Sequence, residues 1–191
     1  MSSVAVQTRL TPEQYLILER KAATKSEYLS GERIAMPGAS REHNLITGNI
    51  LTNLNNKLVD RECEVYASDM RVRTHQPPSY IYPDVTVVCD EPRFEDDEFD
   101  TLLNPTVVVE VLSPSTEVYD RNEKFARYKQ LASLQEYLLV SQDRVCVEHY
   151  LRREPQWVWS EFRSLEQVLS LVSIHCELPL HAIYRRVRFD A

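Results

Sequence analysis

The stretch VVVEVLSPST, which begins at residue 107, constrains the fold more than any other part of the sequence. Five of its first six residues are β-branched or aliphatic. Such a run indicates a strand covered on both faces, as in an α/β protein with helices on the two sides of a sheet. Glu110 interrupts the run, and burying an ionised carboxylate costs several kcal/mol unless it is protonated, hydrogen-bonded or bound to a cation. We therefore expect a compensating group near Glu110.

A second carboxylate lies in an apolar setting in IYPDVTVVC (81–89), where Asp84 falls within a predicted strand. Aspartate is a poor strand former, and Pro83 removes a backbone donor, which suggests a strand start or an edge. If this strand neighbours 107–112, Asp84 and Glu110 project from the same face. Two such carboxylates repel each other unless a divalent cation lies between them. Hard oxygen ligands suit Mg²⁺ or Mn²⁺.

A third charged residue lies on the helix predicted from about 117 to 132. Phe125, Tyr128 and Leu131 define its apolar arc, and Lys124 falls within that arc. Asp120 lies one turn earlier and is placed to form an ion pair with Lys124. Near two carboxylates and a phosphate, the Lys124 ammonium would steady an attacking water and the charge that develops at phosphorus.

The helix predicted over 41–58 carries an unexpected histidine, because His43 falls in the apolar stripe made by Ile46, Ile50 and Leu54. Its place in the first helical turn permits a role at the rim of a site, where it would orient water or a phosphate.

Each of these residues also has an ordinary structural interpretation. Glu110 pairs with a buried lysine or arginine, and Asp84 is a turn or cap residue beside Pro83. Lys124 snorkels along an apolar face, and His43 is a satisfied core residue. These alternatives stay open at the level of sequence, but each needs its own coincidence, whereas one metal site accounts for the three charged residues together.

The remaining pattern predicts a single domain over residues 1–191, with a helix at 11–22, strand-like runs at 62–68 and 70–74, and a helix at 164–170. This order fits a mixed α/β sheet with helices on its faces better than a regular βαβ alternation. Only three glycines are present, without a GxGxxG or Walker loop, which disfavours the glycine-rich nucleotide-binding folds.

The net charge of −7 excludes a broad basic face for nucleic acid, so DNA contact must be local. The acidic segment DEPRFEDDEFD (90–100) is interpreted as a solvated loop or, alternatively, as a gate that repels an anionic substrate. Candidates for a local basic strip are Arg71, Arg73, Arg121 and Arg127.

Cysteine spacing and hydropathy limit the remaining classes of protein. Four cysteines without a CxxC pair indicate neither a zinc cage nor a thioredoxin-like motif, so we interpret them as small buried hydrophobic residues. No signal-peptide core and no apolar run of about 18 residues is present. We therefore expect a cytoplasmic protein with no membrane contact.

The strings PDVTVVC and PTVVVEVLSPSTEVYDRNEKFARYKQLASLQEYLLV resemble the Uma-two-type proteins, a bacterial family of the PD-(D/E)XK, restriction-endonuclease-like superfamily. The resemblance implies a mixed central β-sheet flanked by helices. By the same resemblance Asp84 belongs to the PD element and Glu110 opens the (D/E)XK element. Leu112 stands where the superfamily usually places lysine.

The resemblance also assigns roles. Lys124 on the following helix takes the place of the missing lysine, with Asp120 and Tyr128 beside it, and His43 matches the histidine of the first long helix. The implied activity is hydrolysis of DNA by an endonuclease in which Asp84 and Glu110 hold Mg²⁺ or Mn²⁺. A homodimer is expected. The alternative is a catalytically inactive binding protein that keeps the nuclease fold.

Overall fold

The computed structural model describes residues 9–189 apart from Gln76. In chain order its helices and strands are α1 (Pro12–Glu19), β1 (Ser26–Leu29), β2 (Glu32–Ala35), α2 (Arg41–Leu58), β3 (Glu64–Ala67), β4 (Arg71–Thr74), β5 (Ser79–Ile81), β6 (Val85–Val88), β7 (Thr101–Leu102), β8 (Val107–Leu112), α3 (Glu117–Tyr119), α4 (Phe125–Tyr128), β9 (Glu136–Ser141), β10 (Val147–Arg153), β11 (Gln156–Phe162), β12 (Val168–Leu171), β13 (Cys176–Pro179) and α5 (Leu180–Ile183).

A six-stranded sheet in the order β11-β10-β9-β8-β6-β3 forms the centre of the fold. Strand β8 runs parallel to β9 and antiparallel to β6, so the sheet is mixed. All six residues of β8 are buried. Val107, Val109 and Val111 pack in one core cluster with α2, and Val108 and Leu112 pack in a second with α4. The predicted α/β fold, with a strand covered on both faces, is confirmed.

A second sheet lies beside the first, in the order β2-β1-β5-β4-β7. The chain leaves it after β5 and enters the large sheet at β6, so the predicted strand 81–89 is broken at Tyr82–Asp84. Pro83 causes the break because it cannot donate a ladder hydrogen bond. This crossing places Asp84 at the junction of the two sheets.

Helix α2 has the predicted bounds, 41–58, and Ser40 caps it by accepting a hydrogen bond from the His43 N–H at 3.0 Å. Helix α1 begins at the predicted cap, where Thr11 and Gln14 form a capping box, but it ends at Glu19. No helix in the described part of the chain combines the length and apolar character that crossing a membrane requires.

The predicted helix 117–132 is shorter and irregular. It consists of α3, a π-helical segment over Asp120–Lys124, and α4, and it ends at Tyr128. Single π-helical turns recur at functional sites in proteins. Both ends of this segment are buried, since Asp120 is 2% exposed and Lys124 5%.

The helix predicted at 164–170 is wrong. Residues 168–171 form β12, which pairs antiparallel with β13. The reason is that Leu169 and Leu171 are buried while Val168 and Ser170 are exposed, which is the period of a strand.

The interpretation of all four cysteines as small hydrophobic residues is wrong for two of them. Cys63 and Cys89 form a disulfide, whereas Cys146 and Cys176 are free and buried. Strands β3 and β6 pair with Glu64 opposite Val88. Extending this antiparallel register by one residue places Cys63 opposite Cys89. Pairing register decided this bond, and sequence spacing does not reveal it.

The acidic segment 90–100 is largely exposed, as a solvated loop would be, but some of its carboxylates form ion pairs. Asp96 and Asp100 bind Arg20 at 2.8 and 2.9 Å, and Asp100 also pairs with the buried Arg71. Burial alone would raise the pKa of Asp100, but hydrogen bonds from Arg20 and Arg71 outweigh it and hold the pKa well below its usual range. The segment therefore neutralises arginines of the neighbouring elements.

Candidate active site

Asp84 directly precedes β6. Its side chain, in place of its backbone, forms a hydrogen bond with β8. Extending the register Val85 opposite Val109 by one residue places Asp84 opposite Glu110. The Val111 N–H donates to Asp84 Oδ2 at 2.6 Å, and His43 Nε2 lies 3.2 Å from the same oxygen. These two contacts fix the carboxylate, and its Oδ1 accepts no hydrogen bond from any described residue.

Glu110 projects from β8 toward α4 and the π-helical segment. Its Oε2 lies 2.9 Å from Lys124 Nζ, and the Tyr128 hydroxyl donates to Oε1 at 3.2 Å. Only 3% of the Glu110 side chain and 7% of the Lys124 side chain are exposed. The two groups therefore interact in a region of low dielectric, where charge interactions are strong.

The Lys124 ammonium faces two further carboxylates. Asp120 Oδ1 lies at 3.5 Å and Glu27 Oε1 at 3.4 Å. Glu27 belongs to β1 in the second sheet and also accepts a hydrogen bond from the Tyr119 hydroxyl at 3.3 Å. Sequence reasoning missed Glu27, because a charged residue in a four-residue strand ordinarily lies at the surface and no periodic pattern marks it.

We call the space bounded by Glu27, Asp84, Glu110, Asp120 and Lys124 the acidic pocket. It contains four carboxylates and one ammonium group. With all five groups ionised, four minus one leaves an excess of three negative charges. Buried carboxylates without a counter-charge are costly, and a donor set made of oxygen suits Mg²⁺ or Mn²⁺. The residues present therefore fit a divalent cation.

Burial raises the pKa of Glu110 well above its ordinary value. The charge of Lys124 lowers this pKa, but the carboxylates of Asp120 and Asp84 offset part of that effect. Burial likewise raises the pKa of Asp120. For Lys124 burial acts in the opposite sense, but the carboxylates of Glu110, Glu27 and Asp120 outweigh it and raise its pKa well above the ordinary value. Lys124 thus stays protonated, and the pKa values of Glu110 and Asp120 both lie above those of exposed carboxyls.

A cavity of about 720 Å³ opens onto the acidic pocket and also contacts His43, Ser40 and Gln142. Ser40 Oγ donates to Gln142 Oε1 at 2.6 Å, which ties the first turn of α2 to the end of β9. The cavity is large enough for a phosphodiester group and water, and its polar wall lies at the edge of the sheet where β8 and β9 both end.

Residues 12–181 match the family Uma2, described as "Putative restriction endonuclease". The chain belongs to the Uma2 family. Two proteins of Synechocystis sp. strain PCC 6803, named "Uncharacterized protein sll1609" and "Uncharacterized protein slr1290", are 41% and 37% identical over 162 and 182 residues. These matches cover 84% and 95% of this chain, and 92% and 94% of the relatives.

A solved structure supports the fold. A "putative nuclease belonging to DUF820" from Anabaena variabilis superposes with a TM-score of 0.72 over 90% of this chain and 96% of that protein. The two sequences are 19% identical, so this likeness concerns the fold alone.

The structure separates some of the alternative interpretations in this Uma2 chain. Lys124 does not snorkel, because its ammonium group itself is buried among carboxylates. His43 is half-buried and contacts Asp84 instead of lying in the core. Glu110 does pair with a lysine, which its structural interpretation requires, but one lysine does not balance four carboxylates.

Leu112 is a core residue, 5% exposed, and it packs with Phe125 and Tyr128. It therefore lies on the same face of β8 as Glu110 and fills the core there, while Lys124 reaches Glu110 from the π-helical segment.

The arginines proposed as a basic strip do not form one. Arg71 pairs with Asp100, Arg73 with Glu95 at 3.3 Å, and Arg121 with Glu117 and Glu148. Arg127 donates to Ser79 Oγ at 2.8 Å. Three of the four candidate arginines are therefore neutralised by carboxylates.

Replacing His43 with alanine is expected to weaken Mn²⁺ binding by about 10- to 100-fold, the range for residues that orient a metal ligand. The reason is that His43 Nε2 lies 3.2 Å from Asp84 Oδ2 and helps to orient this carboxylate. Isothermal titration calorimetry measures the affinity, and His181→Ala, which removes an exposed histidine on α5, is the control. Equal Mn²⁺ affinity in the two variants would contradict the prediction.

Proposed function

We propose that this Uma2 protein is an endonuclease that hydrolyses DNA phosphodiester bonds with Mg²⁺ or Mn²⁺ in the acidic pocket. Membership of a family described as "Putative restriction endonuclease" supports a nuclease function in general terms. The observation that carries the finer proposal is the excess of buried carboxylates around one ammonium group, beside a cavity open to substrate.

In this proposal Asp84 and Glu110 hold the cation. A divalent cation supplies Lewis-acid chemistry and acidifies water at this position. Asp84 is oriented for its task by the Val111 N–H and His43, and Glu110 by the Tyr128 hydroxyl. The residues thus present oxygen ligands without rearrangement of the strands.

Lys124 supplies the positive charge that the phosphorane-like transition state needs. Because its pKa is raised, it stays protonated at neutral pH and donates hydrogen bonds to a developing negative charge. Asp120 and Glu27 hold the ammonium group near Glu110. Preorganised charge of this kind needs no reorganisation during reaction.

A second candidate, a binding protein that retains the fold without turnover, is favoured by one observation. The Lys124 ammonium already contacts three carboxylates, which restrains its movement toward a substrate. The homodimer, the cytoplasmic location and the single domain over 1–191 stay predictions.

The test is a plasmid-nicking assay on the full chain with Mg²⁺, Mn²⁺ or EDTA. We expect conversion of supercoiled plasmid to nicked or linear forms with either cation and none with EDTA. Absence of cleavage with both cations, despite calorimetric evidence that Mn²⁺ binds, would favour the binding protein. Absence of both cleavage and Mn²⁺ binding would exclude the metal site.

A further inference from the structure

The C-terminal segment Tyr184–Phe189 alternates anchoring and exposed residues. Tyr184 is 4% exposed, and Val187 and Phe189 pack against the core cluster of the large sheet. The rings of Tyr184 and Phe189 lie 5.6 Å apart. The three residues between these anchors, Arg185, Arg186 and Arg188, are exposed. The fold therefore holds these side chains outward on an ordered segment.

Two polar contacts fix the path of this segment. The Asn49 side chain, buried in α2, donates to the carbonyls of Ile183 and Arg185 at 2.8 and 2.9 Å. The Tyr184 hydroxyl donates to the Cys146 carbonyl at 2.7 Å and accepts from the Cys146 N–H at 3.1 Å. The segment is thereby held between α2 and the start of β10.

This location is at the same edge of the sheet as the acidic pocket. Strands β8 and β9 end together at Leu112 and Ser141, and the turn that follows β9 contains Gln142, which contacts the cavity wall, and Arg144, which is exposed. The turn leads to Cys146, where Tyr184 is bound. The Tyr184 hydroxyl therefore lies at the end of the sheet where Gln142 contacts the cavity.

We call Arg144, Arg185, Arg186 and Arg188 the arginine cluster. Within the described ranges, none of the four has a carboxylate oxygen within 4.0 Å, in contrast to the arginines paired around β4 and the π-helical segment. Asp143 lies in the same turn and Glu161 is near enough to Arg144 for their charges to interact, so four positive charges minus two leave an excess of two among these described residues. On a chain of net charge −7 this is a local surface of opposite sign beside the pocket.

We propose that the arginine cluster binds the phosphate backbone of the DNA whose scissile phosphodiester enters the acidic pocket. The inference rests on the proposed function and extends it with a docking surface for the substrate. Guanidinium groups bind phosphate oxygens in a bidentate manner and stay charged at all relevant pH values. Backbone contacts of this kind position a duplex without reading its sequence.

The test compares the wild type with the variant R185Q/R186Q/R188Q in binding a 20-base-pair duplex by fluorescence anisotropy. Ca²⁺ replaces Mg²⁺ so that the DNA stays intact during the measurement. We expect the variant to bind at least about 10-fold more weakly at 0.1 M salt. The slope of log affinity against log salt should fall by about two to three, since each lost phosphate contact removes about 0.9.

A matched control removes the same charge elsewhere. Lys57, Arg93 and Arg153 are exposed, and in the described part of the chain none is paired with a carboxylate. They lie at the last turn of α2, after β6 and at the end of β10, which is the sheet edge opposite the pocket. K57Q/R93Q/R153Q should keep nearly wild-type affinity, and R185K/R186K/R188K should keep most of it.

A small diester separates this inference from the proposed function. Hydrolysis of bis(4-nitrophenyl) phosphate with Mn²⁺ needs the acidic pocket but does not extend to the arginine cluster, so R185Q/R186Q/R188Q should hydrolyse it like the wild type. If duplex affinity depends on the cluster while neither substrate is cleaved by any version, the docking surface stands and the nuclease proposal fails. If the control variant loses as much affinity, or R185Q/R186Q/R188Q loses none, the docking surface is wrong.

Discussion

Glu110→Gln is expected to abolish the stabilisation of the protein by Mn²⁺ and to reduce DNA cleavage by more than about 100-fold. A cation that binds only the folded state stabilises it by about 2.7 kcal/mol at a hundredfold excess over Kd. Glutamine keeps the shape of Glu110 but offers a neutral oxygen, so the ion loses a charged ligand. Mutating a residue that hydrogen-bonds to a metal ligand lowers metal affinity or activity by about 10- to 100-fold. Mutating the ligand itself should lower them further.

The metal-free Glu110→Gln protein should be as stable as the wild type, or more so, because one of four clustered carboxylates is neutralised. Melting temperature against Mn²⁺ concentration measures both effects. Glu62→Gln, an exposed residue outside the pocket, is the control and should respond to Mn²⁺ like the wild type. Equal responses to Mn²⁺ in the wild type and Glu110→Gln would show that Glu110 is only the structural partner of Lys124.

The pH dependence gives a second readout of the same residue. The folded protein holds the pKa of Glu110 above its ordinary value of 4.5. At pH values between 4.5 and the pKa in the folded state, the folded state therefore binds more protons than the unfolded state. Stability of the metal-free protein should therefore fall as pH rises through this window. Saturating Mn²⁺ displaces the proton and should flatten the profile, and Glu110→Gln should reduce its slope, with the contribution of Asp120 remaining.

Lys124→Met is expected to destabilise the metal-free protein by about 3–5 kcal/mol near neutral pH, the usual cost of breaking a buried ion pair by removing one partner. Methionine fills a similar volume but leaves Glu27, Glu110 and Asp120 without a counter-charge. Urea unfolding measures the loss. Cleavage should also fall by about 100- to 1,000-fold, as when a single transition-state donor is removed.

Acidification provides the internal check on Lys124→Met. Lowering the pH favours the protonated carboxyls of Glu110 and Asp120, whose pKa values are raised, so the stability gap from the wild type should narrow as the pH falls. Lys57→Met, at the exposed end of α2, should change stability by less than about 0.5 kcal/mol at neutral or lower pH. A loss below about 1 kcal/mol at neutral pH would mean that Lys124 does not balance the carboxylates.

Much of the framework follows from local patterns. The run around Glu110 predicted a strand buried on both faces, and the period of 41–58 predicted α2 with its bounds. The apolar arc after β8 predicted that Lys124 faces the sheet, and its ammonium does lie 2.9 Å from Glu110. These predictions succeed because the period of apolar residues depends on the geometry of one helix or strand alone.

Sequence patterns were less informative where they did not distinguish clearly between two types of secondary structure. The segment 164–170 has apolar spacing that suits either a helix or a strand, and pairing with β13 selected the strand. The helix after β8 contains a π-helical turn at Asp120–Lys124 that no propensity scale marks. In both cases contacts with distant elements outweighed a weak local preference.

The sequence by itself determined which strand and helix faces are apolar, and therefore that Asp84, Glu110 and Lys124 are charged residues in apolar surroundings. Only the tertiary structure decided what surrounds them. Glu27 enters the acidic pocket because the second sheet packs against the π-helical segment, and Arg71 is neutralised because Asp100 folds back onto it. Partners so far apart in the chain meet through sheet order and pairing register, which local periodicity does not encode.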